Sequence, residues 1–319
     1  MPKQAMPRLA LGAVLLAAAS VALAQAPAGG EVLPLQRGAK GEAVLHAQVL
    51  LDRARFPTGE IDASFGSNMQ RALQAWQRQQ GLSASGKLDG RSWAALSRDT
   101  APPLASYSIT EADVAGPFQA IPEDMMEKAA LPALGYASAE EALAERFHAA
   151  PALLRRLNPD KDFGRVGEAI MVPNVDAGMP LPQGAKVVID RSDLSVALLD
   201  DAGQVLARFP ATIGSKHDPP PLGLWKIKGV ARNPPFHYNP QLFWDGEKGH
   251  AKATIAPGPN NPVGVVWVDL SKPHYGIHGT PEPRNIGKTQ SHGCIRLSNW
   301  DAQLLAAAVR PGMPALLRR

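Results

Sequence analysis

The chain has 319 residues, 45% of them hydrophobic and 19% charged, with a formal charge of +4. This is globular composition, and the length suits about two domains of ~150 residues. The single cysteine, Cys294, excludes an internal disulfide and any zinc site built on several thiolates. No Lys/Arg run of the kind nucleic-acid binding needs is present.

Residues 1–24 carry Lys3 and Arg8, no acid, then an apolar stretch closing in Ala22-Leu23-Ala24. A charged start, apolar middle and small-residue end predict a secretory signal, with cleavage after Ala24. The apolar run is about 15 residues, short of the roughly 20 that span a bilayer. An exported chain with no membrane span after cleavage is expected, with the periplasm as its compartment. Loss of Lys3 and Arg8 lowers the charge from +4 to +2. Residues 25–35 are Ala/Pro/Gly-rich and read as a linker.

Residues 36–98 read as a small all-α bundle. Val44, Leu45, Val49 and Leu50 fall on one helix face after Gly41. Residues 59–66 form a loop. Ser67 is placed to cap a second helix that stops at Gly81, with Met69, Leu73 and Trp76 inward. A third short helix follows Asp89. The run Gly59-Glu60-Ile61-Asp62-x-x-Phe65-Gly66, then Ala72-x-x-x-Trp76-Gln77 and Gly81-Leu82, resembles the peptidoglycan-binding domain found in many cell-wall enzymes.

Residues 99–180 are expected to be linker plus a small module. The Pro-rich part, 99–136, reads as irregular connection. Two short helices, 141–147 and 151–157, precede a stretch, 167–174, that ends as a strand. This part resembles a LysM-type sugar-binding module lacking its first strand. A plain helical spacer fits these residues equally well.

Residues 181–319 change to a period of two. Strands are expected at 186–190, 194–199, 204–209, 224–230, 265–270 and 275–278, with one late helix at 299–309 capped by Ser298. The pattern predicts a mainly β, sandwich-like domain.

Chemistry concentrates in Ile277-His278-Gly279-Thr280 and Ser291-His292-Gly293-Cys294-Ile295-Arg296. A thiol is mostly protonated at pH 7, and a neighbouring imidazole can take its proton to leave a thiolate–imidazolium pair. His292 shares a face with Cys294 only if the segment is extended. His278 approaches from a separate strand. Spacing alone does not choose between them. The N–H groups of Gly293 and Cys294 are candidates for an oxyanion hole. Arg296 can grip a carboxylate with two hydrogen bonds. Tyr275, Ser291 and Thr280 are the other substrate-binding candidates. A zinc set of His274, His278, His292 and Cys294 is the competing reading, disfavoured by the absence of any evident supporting shell.

His278-Gly279-Thr280, then Gly287, then Ser291-His292-Gly293-Cys294-x-Arg296, resembles the signature of the L,D-transpeptidases. Gly223-x-Trp225-Lys226-Ile227 and residues 256–264 also match. Pro220 stands where that family often has Thr. The resemblance implies Cys294 as nucleophile, His278 as general base, the Gly279 carbonyl in place of a triad acid, and His292 as a pocket-shaping residue. It implies peptidoglycan stem peptides as partner and 3-3 cross-linking, without cofactor or metal. Water or an outer-membrane lipoprotein lysine as acceptor would make the enzyme an L,D-carboxypeptidase or an anchoring enzyme. A non-catalytic wall-binding scaffold is the alternative from another class. Residues 36–98 would then raise substrate concentration without touching the chemistry.

Overall fold

The computed structural model describes residues 33–319 except 176–179, 245 and 248. The expected signal sequence, residues 1–24, lies outside the described residues. No helix among those described is long and apolar enough to cross a membrane.

Three helices open the described chain: α1 (Glu42–Arg53), α2 (Ser67–Gln79) and α3 (Gly90–Leu96). Leu50, Phe56, Phe65, Met69, Leu73 and Trp76 form their common core. Ser67 is the first residue of α2 rather than its cap, and no side chain caps that helix. Gly66 holds the cap position in extended backbone, so the expected serine cap does not form. Asp89 does cap α3, accepting a hydrogen bond from the Ser92 N–H at 2.8 Å. Gly81, at φ +66, ends the turn after α2.

The middle segment is more regular than its prolines suggest. Strand β1 (Leu104–Ser108) is followed by α4 (Glu111–Val114), α5 (Met125–Ala129), α6 (Ala139–Arg146), α7 (Pro151–Leu157) and β2 (Ala169–Pro173). β1 pairs antiparallel with β2 in full register. The first strand that the sequence was expected to lack is therefore present, inside the stretch read as irregular. Its five residues are half-buried or exposed, none is fully buried, and Ser106 and Ser108 are exposed, so the strand carries only a weak apolar signal. Ser138 caps α6 and Pro151 opens α7.

The remaining residues form β3 (Lys186–Asp190), β4 (Ser195–Leu199), β5 (Val205–Pro210), β6 (Thr212–Ile213), β7 (Gly223–Arg232), β8 (Phe236–Tyr238), β9 (Ala253–Ile255), β10 (Val266–Leu270), β11 (Gly276–His278), β12 (Ile295–Arg296), α8 (Asn299–Ala308) and β13 (Pro314–Arg318). Nine strands make one sheet in the order β5-β4-β3-β13-β7-β10-β11-β12-β6. Its two ends, β5 and β6, are separated in sequence by Ala211 alone. The sheet must therefore fold back until its ends meet, which encloses a core of Ile189, Val196, Phe209, Ile227, Val268 and Ile277. α8 closes that core with Leu305. Ser298 caps it, accepting from the Asp301 N–H at 3.2 Å. β8 and β9 form a separate hairpin.

Candidate active site

The site grows from strand register. β11 and β12 run parallel, with His278 opposite Arg296. β10 places Trp267 opposite His278, and β6 places Thr212 opposite Arg296. Partners at one register position share a face. Trp267, His278, Arg296 and Thr212 therefore form a row across four strands. Cys294 precedes β12 by one residue and Arg296 by two, beside Gly276 at the start of β11. The indole of Trp267 stacks on His278, with ring centroids 5.4 Å apart and planes 16° apart. It also covers Gly276, where a Cβ would come within 2.4 Å of the ring.

His278 is 3% exposed. Its Nδ1 lies 2.6 Å from the Gly279 carbonyl oxygen. A carbonyl can only accept, so Nδ1 carries the proton and Nε2 presents a lone pair. Burial, then the charge of Arg296, push the imidazole pKa down to about 3, against the Gly279 hydrogen bond. The ring is neutral at neutral pH.

Cys294 is half-buried, with its sulfur 3.7 Å from the His274 carbonyl. Burial pushes the thiol pKa up, while the Gly276 N–H and Arg296 pull it down. Burial thus favours a neutral thiol beside a neutral imidazole over a thiolate–imidazolium pair. Low dielectric disfavours two separated charges until something compensates them.

Gly293 has φ +93. This left-handed turn breaks the alternation that would put His292 on the face of Cys294. The His292 ring instead meets Phe243 edge-on at 4.9 Å and Trp244 at 5.6 Å. Both aromatics sit in the connection between β8 and β9. His250, later in that connection, lies 2.8 Å from Asp124 and 3.2 Å from Glu247, and its Nδ1 is 3.1 Å from the Tyr238 hydroxyl. Among the described residues, His274, His278, His292 and Cys294 do not converge into a metal-binding group.

The other candidates divide. Tyr275 packs on Trp225 at 5.4 Å and lies against Gly293, where a Cβ would be 3.1 Å from its ring. The Ser291 hydroxyl donates to the Cys294 carbonyl at 2.6 Å, and its N–H donates to the Gly214 carbonyl at 3.0 Å. Ser291 therefore shapes the loop, and its hydroxyl is engaged within it. Thr280 is buried and accepts from the Glu282 N–H at 3.2 Å.

Sequence reasoning missed Trp267, Asn299, Glu145 and Asn68, whose proximity to the site arises only in the folded chain. Asn68, in α2, donates to the Ile286 carbonyl at 2.8 Å. The next residue, Gly287, donates to the Thr212 hydroxyl at 2.9 Å. Gln79 donates to the Val205 carbonyl at 2.8 Å. The N-terminal bundle is thus docked on the loop that leads to Cys294.

The L,D-transpeptidase catalytic domain model matches residues 184–317, and a peptidoglycan binding domain model matches residues 40–96. A Bacillus subtilis protein named for L,D-transpeptidase, YkuD, is 30% identical over 178 residues, covering 56% of this chain and 92% of its own length. A second Bacillus subtilis protein so named, YqjB, is 27% identical over 143 residues, covering 43% of this chain and 73% of its own. A solved L,D-transpeptidase from Xylanimonas cellulosilytica aligns with 90% of this chain and 98% of its own at 16% identity and a TM-score of 0.39. The matched catalytic domain contains the entire row from Thr212 to Arg296 and the thiol beside it, and the chain belongs to the L,D-transpeptidase family.

Proposed function

We propose that this chain is an exported cysteine acyltransferase that forms 3-3 cross-links between peptidoglycan stem peptides. The observation that carries the reading is the His278 imidazole, oriented through Nδ1 by the Gly279 carbonyl and one strand away from Cys294. The Cys294 thiol attacks the carbonyl of the L-centre of the third residue in a tetrapeptide stem, and its proton passes to His278 Nε2. The N–H groups of Gly293 and Cys294 receive the developing oxyanion. Collapse breaks the amide, and the terminal D-Ala leaves with the proton from His278. An amine of a second stem then attacks the thioester, gives its proton to the imidazole, and displaces the Cys294 sulfur, which recovers a proton. Arg296 binds a substrate carboxylate, beside Tyr275 and Thr280. His292, walled by Phe243 and Trp244, shapes the pocket rim.

Peptidoglycan is the substrate, and the action lies outside the cytoplasm. The match of residues 40–96 to a peptidoglycan binding domain supports both. Intact mass after incubation with a carbapenem tests the nucleophile. One covalent adduct is expected on wild type and none on Cys294→Ala. An unmodified wild type overturns the assignment. Muropeptide analysis of the products then names the acceptor, with a cross-linked dimer expected rather than a tripeptide or a protein adduct.

A further inference from the structure

The catalytic window contains no acid placed to orient His278. A carboxyl from the middle segment touches the Asn299 side chain that packs against Gly279. Glu145, in α6, accepts from the Asn299 side-chain amide at 3.0 and 3.2 Å and from the Tyr136 hydroxyl at 2.8 Å. Asn299, at the start of α8, is 0% exposed. Its amide also donates to the Pro259 carbonyl at 3.1 Å, and its Oδ1 accepts from the Val265 N–H at 3.2 Å. That oxygen fills the space that a Cβ would take at both Gly264 and Gly279, 2.0 and 2.2 Å from the two positions. The Asn299 side chain is therefore wedged against the Gly279 peptide. The carbonyl of that same residue holds the His278 Nδ1 proton at 2.6 Å.

Each link has little slack. Gly279 has no side chain to hold it, so its peptide orientation depends on what packs around it. Asn299 has two faces to its amide, and Glu145 joins the Pro259 carbonyl and the Val265 N–H in fixing which way it points: Nδ2 toward the carboxyl, Oδ1 toward the Gly279 side. Burial raises the Glu145 carboxyl to about 7, opposed by Asn299 and Tyr136, with Glu141 and His148 the charged neighbours that face it. A neutral amide at position 145 therefore preserves the acceptor oxygen in the form that burial favours.

We infer that Glu145 is a positioning residue for His278, acting through Asn299 and the Gly279 peptide in the way a third member orients a catalytic histidine. This rests on the proposed role of His278, and the test separates the two. The primary readout is the His278 Nδ1–H resonance in protein carrying 15N-labelled histidine, which reports the hydrogen bond to Gly279 whatever the ring does in catalysis. In Glu145→Ala the resonance is expected to move upfield or vanish by exchange. The kcat on a soluble tetrapeptide falls by on the order of tenfold to a hundredfold, with KM little changed. Glu145→Gln restores both. If Glu145→Ala does not fold, Glu145→Asp, which draws the carboxyl away from Asn299 by one methylene, is expected to shift the resonance in the same sense. An unshifted resonance in a folded Ala or Asp variant overturns the inference. An active His278→Gln protein, beside a His278 resonance that still depends on Glu145 when His278 is present, would instead sink the assignment of the base.

Discussion

The contact between the N-terminal bundle and the loop before Cys294 can be measured with a double-mutant cycle at Asn68 and Gly287. Gly287 has φ +69, and a Cβ added there would lie 2.4 Å from Asn68 Oδ1. The left-handed backbone alone costs an alanine about 1–2 kcal/mol. Asn68 is 6% exposed and tied to Ile286 at 2.8 Å, so it cannot swing away. The overlap therefore adds about 1–3 kcal/mol. Asn68→Ala alone deprives the buried Ile286 carbonyl of its donor, at about 1–3 kcal/mol. In the double variant the new methyl group occupies the vacated space, and only the backbone strain of Gly287→Ala is added. The double variant should be about 1–3 kcal/mol more stable than the sum of the single changes implies. Urea denaturation followed by tryptophan fluorescence measures this, because Trp76 and Trp93 report one partner and Trp225 and Trp267 the other. Single changes that add to within about 0.5 kcal/mol would refute the contact.

Two further outcomes follow from the buried titratable groups. His278→Gln should abolish carbapenem acylation of Cys294, and His292→Gln should slow it less, both read by time-resolved intact mass. A dead His292→Gln protein beside an active His278→Gln protein would reverse the assignment. Asp301 is 2% exposed. Burial and the charge of Asp52 raise its carboxyl to about 7, against His148 and Ser298. The folded chain holds this proton more tightly than the unfolded chain. The contribution to stability is therefore full at acid pH and lost as pH rises through about 7. The stability difference between wild type and Asp301→Asn should fall, by on the order of 4 kcal/mol, between about pH 4 and pH 8. A difference that does not change with pH would show that this carboxyl titrates normally.

The catalytic part was legible because its information is local. Cys294, Gly293 and Arg296 lie within one short run, and a period of two marks most strands of the sheet around them. The placement of His278 and His292 around Cys294 was not local. It depends on the left-handed turn at Gly293 and on the pairing of β11 with β12, which the alternation of residues does not encode. β1 escaped because it is short, has no fully buried residue and follows Pro102 and Pro103 directly, so its weak alternation sits in a stretch marked as irregular. Glu145 and Asn68 escaped for a different reason. Their partners stand 154 and 218 residues away, and no spacing rule operates at that range. Ser67 was misjudged by one residue at a helix start, where the glycine before it took the cap position without a side-chain bond.

The docking of α2 onto Ile286 and Val205 also bears on where along the wall the enzyme can work. A binding module on a loose tether searches a cloud of positions, so the catalytic thiol meets any stem within reach. A module hydrogen-bonded to the catalytic loop behaves as a ruler. Once it grips the polymer, the thiol stands at a set offset and orientation from the point of attachment, and only stems presented at that spacing are within range. The distance between a bound module and the stem that reacts would then be set by the protein and not by the local abundance of donors.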